Sequence, residues 1–284
     1  MTTRFTPRNS LIAVISAFLF AGQALAQAPQ PEDSTGRGTH ELVLANTHMV
    51  AAAHPRAVEA GLKMLRRGGS AADAAIAVQL VLNLVEPQSS GIGGGAFLLY
   101  HDANSRNLIT YDGRETAPTK ADQNLFLKAD GTAMGFRDAV VGGRAVGTPG
   151  TVALLAELHN IHGRLPWADL FAPAIKLAEE GFTVGPRLAA MLAGPRADIL
   201  RSFPEARAYF FPGGVSLKAG DRRTNPAFAR TLKNIAAHGS KAFYEGEIAE
   251  AIVDAVRNAT PNPGQLTLSD LQAYRIIQRD PVCL

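Results

Sequence analysis

The residues best placed to do chemistry lie in Asp112-Gly113-Arg114-Glu115-Thr116-Ala117-Pro118, where an arginine stands just as a strand leaves its sheet. An arginine so placed can face a pocket with its guanidinium fork free. That planar fork grips a carboxylate through two parallel hydrogen bonds, which a lysine cannot do. The same residues also allow a structural role, an ion pair of Arg114 with Asp112 or with Glu115, and on residue types alone that role is the better reading. Other constellations carry less. Gly91-Ile92-Gly93-Gly94-Gly95-Ala96 fits G-x-G-x-x-[GA] on paper. A dinucleotide loop follows a strand and opens a helix, whereas here a helix precedes and a strand from Phe97 to Tyr100 follows. Gly142 to Gly147 has the glycine spacing of a phosphate loop, but Thr148-Pro149 stands where Lys and Ser/Thr are required. His159 and His162 sit one turn apart in the last turn of a helix, where partial positive charge suits the helix dipole. No third ligand is near them, and the rest of the seven histidines show no ligand spacing, so neither metal nor cofactor is expected. No G-x-S-x-G, H-E-x-x-H or Cys/His nucleophile pattern occurs.

These residues must be positioned by a mixed set of elements. Pro55 opens a helix at its first turn, Val58, Leu62 and Leu65 recur at helical spacing, and Gly68-Gly69 ends it. Ser70, with Asp73 three residues on, caps a second helix over Ala71 to Leu84 that is apolar nearly all round and therefore deeply buried. Glu86-Pro87 stops it, and Gln88 to Gly95 forms a Gly/Ser-rich loop. Val50 to Ala53 reads as a short strand, as do Ala96 to His101 and Leu108 to Asp112, the last two joined by a polar turn. Thr148-Pro149 starts a helix running to about His162, with Gly163 at its boundary, and Trp167 to Glu180 forms another that closes at Gly181. Helices are further expected over Asn225 to His238, Lys241 to Asn258 and Thr267 to Tyr274, with a strand from Arg275 to Val282. Strand pairs among many helices imply an α+β fold rather than alternating βαβ units.

At 284 residues, 46% hydrophobic and 19% charged, the chain has the composition of an ordinary globular protein. Arg4 and Arg8 precede an apolar run, Leu11 to Gly22, and then Ala24-Leu25-Ala26; these are the three parts of a secretory signal peptide over residues 1–26. The run is shorter than the roughly 20 residues a membrane anchor needs. Removing Arg4 and Arg8 with it lowers the formal net charge from +3 to +1. Such a charge gives no support to nucleic-acid or membrane partners. Residues 27–39, rich in Pro, Gly and polar side chains, read as a mobile linker. The single cysteine, Cys283, cannot form an internal disulfide. An exported, disulfide-free, core-stabilised domain suits secretion into a bacterial periplasm.

Several segments in order resemble the gamma-glutamyltransferase family, also called glutathione hydrolases. They are Gly68-Gly69-Ser70-Ala71-Ala72-Asp73-Ala74-Ala75, the loop from Glu86-Pro87 to Gly95, and Arg114-Glu115-Thr116-Ala117-Pro118. The series continues with Gly147-Thr148-Pro149-Gly150, Gly246 in Phe243-Tyr244-Glu245-Gly246, and Leu266-Thr267 to Tyr274. One such motif is weak; six in order are strong. The resemblance covers the chain from about Val43 and places residues 40–284 in the N-terminal, large-subunit part of such a precursor.

The resemblance implies an αββα sandwich of the N-terminal nucleophile hydrolase type, incomplete in this chain. It implies a precursor that cleaves itself, so that a new N-terminal Thr attacks a γ-glutamyl amide such as that of glutathione. The α-amine of that Thr can act as base for its own hydroxyl, which needs no histidine. The acyl group then passes to water, an amino acid or a peptide. In the family the Arg of the R-E-x-A-P motif holds the substrate α-carboxylate, and that role falls on Arg114, reversing the weighing made on composition. The nucleophilic Thr and the oxyanion-hole glycines belong to the later part of the precursor, so catalytic residues are expected beyond Leu284 and the partner is that C-terminal, small-subunit part. Two other functions compete: a related amide hydrolase such as a cephalosporin acylase, and a non-catalytic periplasmic protein derived from a degenerate copy.

Overall fold

The computed structural model describes residues 42–195 and 197–282; the expected signal peptide, the linker and Cys283 lie outside them. The first helix, α1 (Pro55–Arg66), starts where expected, with Pro55 at its first position and the His54 side chain accepting from the Arg56 N–H. Ser70 and Asp73 form a reciprocal capping box at the start of α2 (Ala71–Val85). The Asp73 carboxylate also accepts from the backbone N–H groups of Arg164 and Leu165, which explains how a fully buried carboxylate is kept satisfied. Ala72, Ala74, Ile76, Ala77, Leu80, Val81 and Leu84 are all buried, as an apolar helix requires.

Strands β1 (Ala96–Asp102) and β2 (Asn107–Gly113) pair antiparallel in the expected hairpin, with Ala96 opposite Gly113 and Asp102 opposite Asn107. After a short helix α3 (Phe136–Val140), the helices α4 (Thr151–His162) and α5 (Trp167–Glu180) bracket the Gly163 boundary. A second small ribbon follows, β3 (Phe182–Thr183) with β4 (Arg222–Arg223), enclosing α6 (Pro186–Ala193), α7 (Ala197–Ser202) and α8 (Pro204–Phe210). The chain then runs through α9 (Pro226–His238), α10 (Lys241–Tyr244), α11 (Gly246–Arg257), α12 (Leu268–Ala273) and β5 (Ile277–Arg279). β5 joins β2 antiparallel, giving the order β1-β2-β5.

Residues 47–284 form one compact unit. Its core lies between α1, α2, α4, α5, α9, α10 and α11, where Met64, Ile76, Leu158, Leu170, Phe171, Leu232 and Phe243 are almost wholly buried. Helix α4 ties this layer to the sheet: the His162 ring stacks on Tyr100 with centroids 3.7 Å apart, and its Nε2 lies 2.9 Å from the Tyr111 hydroxyl. His159 Nε2 meets the Leu165 carbonyl. The pair therefore serves packing, and among the described residues no cluster of His, Cys, Asp and Glu could hold a metal. The opposite sheet face is bare. Phe97, Leu99, Leu108 and Ile277 lie there exposed, although the unbroken apolar run Ala96–Tyr100 is that of a strand with two apolar faces.

Three expectations need correction. Val50 to Ala53 forms no strand, with no strand partner among the described residues; Val50 instead packs against α1 at Gly61. The Lys241 to Asn258 helix is two helices, broken at Glu245, because Gly246 sits at φ +69°, outside the right-handed helical region. The Arg275 to Val282 strand shrinks to Ile277–Arg279, the three residues that find partners on β2.

Candidate functional site

Arg114 follows the last residue of β2, and the structure places it on the rim of an open groove of about 640 Å³. It is lined by the loop residues Ser89, Ser90, Gly91 and Gly93 to Gly95, with Gln79, Glu86, Glu115, Thr151 and Arg187 among the others. Glycine is required where this loop meets the arginine. A Cβ on Gly95 would lie 2.6 Å from the Gly113 carbonyl oxygen and 2.8 Å from the Arg114 Cα. The Gly94 carbonyl accepts from the N–H groups of Gly150 and Thr151 at 2.9 and 3.0 Å, so two of the four free donors at the start of α4 are spent on the loop.

The backbone of Arg114 is fixed from two sides. Its N–H donates to Asp112 Oδ1 at 3.0 Å, and its carbonyl accepts from the Tyr274 hydroxyl at 2.7 Å. The Arg114 N–H holds the Asp112 carboxyl below its usual range, against the effect of burial and with help from Arg279. Burial, with Asp112 and Glu115 nearby, pushes the Tyr274 hydroxyl up to about 12, so it stays a donor at any physiological pH. A Cβ on Gly150 would sit 2.1 Å from both that hydroxyl and the Gly113 carbonyl, which is why the Gly147 to Gly150 segment ends in glycine.

The side chain of Arg114 makes one of the two ion pairs read from the sequence, that with Glu115. Its Nη1 donates to the Gly95 carbonyl at 3.1 Å and its Nη2 pairs with Glu115 at 3.0 Å. The Asp112 pairing is not made by this side chain; Arg279 takes that carboxylate. Half of the Arg114 side chain remains exposed, and its guanidinium carbon lies 5.9 Å from the Phe97 ring centroid. An arginine carries five N–H donors, so one carbonyl and one carboxylate leave capacity for an incoming anion.

Arg187, which lines the same groove from α6, escaped the sequence reading. It pairs with the almost fully buried Glu86 at 3.2 Å. The Pro186-Arg187 start after Gly185, followed by Leu188 and Leu192 one turn apart, was the available signal for that helix.

This geometry stands beside a consistent set of similarities. Residues 57–284 match the family model described as Gamma-glutamyltranspeptidase. The chain is 37% identical over 274 residues to the glutathione hydrolase proenzyme of Bacillus subtilis, covering 96% of this chain and 46% of that protein. The chain thus spans about half the length of the curated relatives it matches. Among solved structures, the gamma-glutamyltranspeptidase of Helicobacter pylori superposes with a TM-score of 0.80 at 34% identity, over 85% of this chain and 68% of that one. The cephalosporin acylase of Bacillus halodurans does so with a TM-score of 0.77 at 32% identity, over 90% and 47%. The fold is therefore α+β of the N-terminal nucleophile hydrolase type, and the chain belongs to the gamma-glutamyltranspeptidase family.

Proposed function

We propose that this chain is the donor-binding part of a gamma-glutamyl hydrolase and transferase acting on glutathione and related γ-glutamyl compounds. The observation that carries the reading is Arg114, half exposed on the rim of a groove with a glycine-rich lining, its backbone locked by Asp112 and Tyr274. There the guanidinium holds the donor α-carboxylate, and the glycines let the substrate approach the backbone closely. The nucleophilic Thr comes from the second half of the precursor, and its own α-amine takes the proton from its hydroxyl as the γ-glutamyl carbonyl is attacked. The acyl group then leaves to water, an amino acid or a peptide. Residues 1–284 alone hydrolyse no γ-glutamyl amide, for want of that Thr.

The second half also packs on the bare face of the sheet, where Phe97, Leu99, Leu108 and Ile277 await cover. Signal cleavage after Ala26 delivers the protein outside the cytoplasm or to a periplasm. Among the described residues no helix is long and apolar enough to cross a membrane.

A second reading is favoured by the cephalosporin acylase likeness, which is nearly as close in fold. The two separate on substrate. The full-length precursor should hydrolyse glutathione and a chromogenic γ-glutamyl anilide and leave a cephalosporin side-chain amide intact. Preference for the cephalosporin amide would exchange the two readings, and inactivity on all three would favour a degenerate, non-catalytic copy.

A further inference from the structure

Helix α2 is buried and apolar, yet it carries two amides four residues apart, Gln79 and Asn83, on one face. Neither belongs to the capping box, and a buried amide costs stability unless it is hydrogen-bonded. Both find the same partner, through Gln79 Nε2 and Asn83 Oδ1, while the buried Asn83 Nδ2 bonds nothing among the described residues. Gln79 Nε2 donates to Asn83 Oδ1 at 2.8 Å and to Ser90 Oγ at 2.9 Å, and Ser90 Oγ donates to Asn83 Oδ1 at 2.5 Å. The three side chains close a ring around the Ser90 hydroxyl.

Ser90 is the last residue before Gly91–Gly95, a stretch in which four of five residues are glycine. Such a run has one side chain, Ile92 packed against the core, to define its path, and its glycines have a large conformational freedom to lose. Its far end is held by β1 and by the two N–H groups on the Gly94 carbonyl. Its near end is held by Ser90. The next carbonyl along, that of Gly95, is the acceptor for Arg114 Nη1. The path from the rigid helix to the guanidinium thus runs Gln79 and Asn83, Ser90, the glycines, Gly95, Arg114.

We propose that Ser90, clasped by Gln79 and Asn83, is a positioning residue for Arg114: it fixes the glycine loop so that the guanidinium is aimed at the donor α-carboxylate. The inference rests on the carboxylate role of Arg114 set out above. It assigns the clasp an effect on one feature of the substrate, not on the fold as a whole.

The test uses the full-length enzyme and two chromogenic donors, a γ-glutamyl anilide and the same compound with its α-carboxylate converted to a carboxamide. Ser90→Ala should lower kcat/KM for the carboxylate donor about tenfold, mainly through KM, as the loss of a charge-assisted contact's alignment would. The carboxamide donor should change less than about twofold, since it makes no charged contact to lose. Ser90→Thr, which keeps the hydroxyl, should restore most of the preference. In an Arg114→Ala background, Ser90→Ala should add nothing, because coupled residues are non-additive. Should Ser90→Ala fold poorly, Gln79→Met opens the same ring from the helix side and must give the same loss of preference. Equal losses on both donors, or additivity with Arg114→Ala, would overturn the clasp alone. An unchanged preference in Arg114→Ala would overturn the carboxylate role and the clasp together.

Discussion

The Gly95 carbonyl oxygen accepts from Arg114 Nη1 at 3.1 Å, and the same Gly95 has no room for a Cβ against Gly113 and Arg114. One glycine thus aims the guanidinium and lets β1 and the end of β2 approach it. Gly95→Ala should therefore weaken donor binding as well as lower the melting temperature. We expect KM for a γ-glutamyl donor to rise by about tenfold, against the about 1–3 kcal/mol typical of an overpacked contact. Steady-state kinetics beside a thermal melt checks both effects; a drop in stability with unchanged KM contradicts the account.

Gly150 makes a sharper stability case. Its added Cβ would collide at 2.1 Å with both the Tyr274 hydroxyl and the Gly113 carbonyl, neither of which is the loose end of a flexible chain. Gly150→Ala should destabilise the protein by about 1–3 kcal/mol. Tyr274→Phe in the same background should relieve part of that loss by removing the hydroxyl, at the cost of the bond to the Arg114 carbonyl. Denaturant melts of the two single variants and the double variant test this; strict additivity would show that the clash is not what the alanine suffers.

His54 sets a pH dependence. Burial lowers its pKa below the ordinary 6.5, with Arg56 adding to the effect and Glu86 opposing it. The folded state thus prefers the neutral ring, whose Nδ1 accepts from the Arg56 N–H. A base with a lowered folded pKa contributes stability above its unfolded value, and that contribution is lost as pH falls through 6.5 toward the folded pKa. His54→Asn, which can still cap α1, should flatten the fall in stability on the acid side of 6.5. Melting temperatures across pH 5 to 8 give the answer; an unaltered slope removes His54 as its source.

The bare sheet face predicts behaviour in solution. Phe97 is 63% and Leu99 64% exposed on adjacent positions of that face. Residues 1–284 expressed alone should bind a hydrophobic dye and aggregate, and co-expression with the second half of the precursor should abolish both. Leu99→Lys should make the lone segment more soluble while impairing assembly of the whole. A monomeric, dye-silent segment would mean that the face needs no cover.

Much of this was legible in the sequence because the local signals and the tertiary environment agree. The capping box of Ser70 and Asp73, the proline at position 55 and the hairpin of β1 and β2 all formed as read. Where only tertiary pairing decides, the reading failed: Val50 to Ala53 had apolar residues but no partner strand among the described residues, and β5 is only as long as its contact with β2. Arg114 was found by its place after a strand, and its Glu115 pairing was one of the alternatives residue types allowed. Arg187 and Ser90 line the groove and Tyr274 holds the Arg114 carbonyl from segments far apart in the chain, and residue types alone do not bring them together.

The carboxylate role of Arg114 is tested most directly by kcat/KM for a γ-glutamyl donor and for its α-carboxamide, measured on the full-length enzyme and on Arg114→Ala and Arg114→Lys. Removing one partner of a desolvated charge pair costs about 2–5 kcal/mol, and the half-exposed side chain argues for the lower end. Arg114→Ala should therefore lose about thirty-fold on the carboxylate donor, with melting temperature little changed. Arg114→Lys should recover only part of it, keeping the charge but not the fork. The unmodified enzyme should strongly prefer the carboxylate donor, and Arg114→Ala should erase that preference. If the unmodified enzyme hydrolyses the neutral donor equally well, or if Arg114→Ala lowers stability while leaving the preference intact, Arg114 reads no carboxylate and the substrate assignment falls with it.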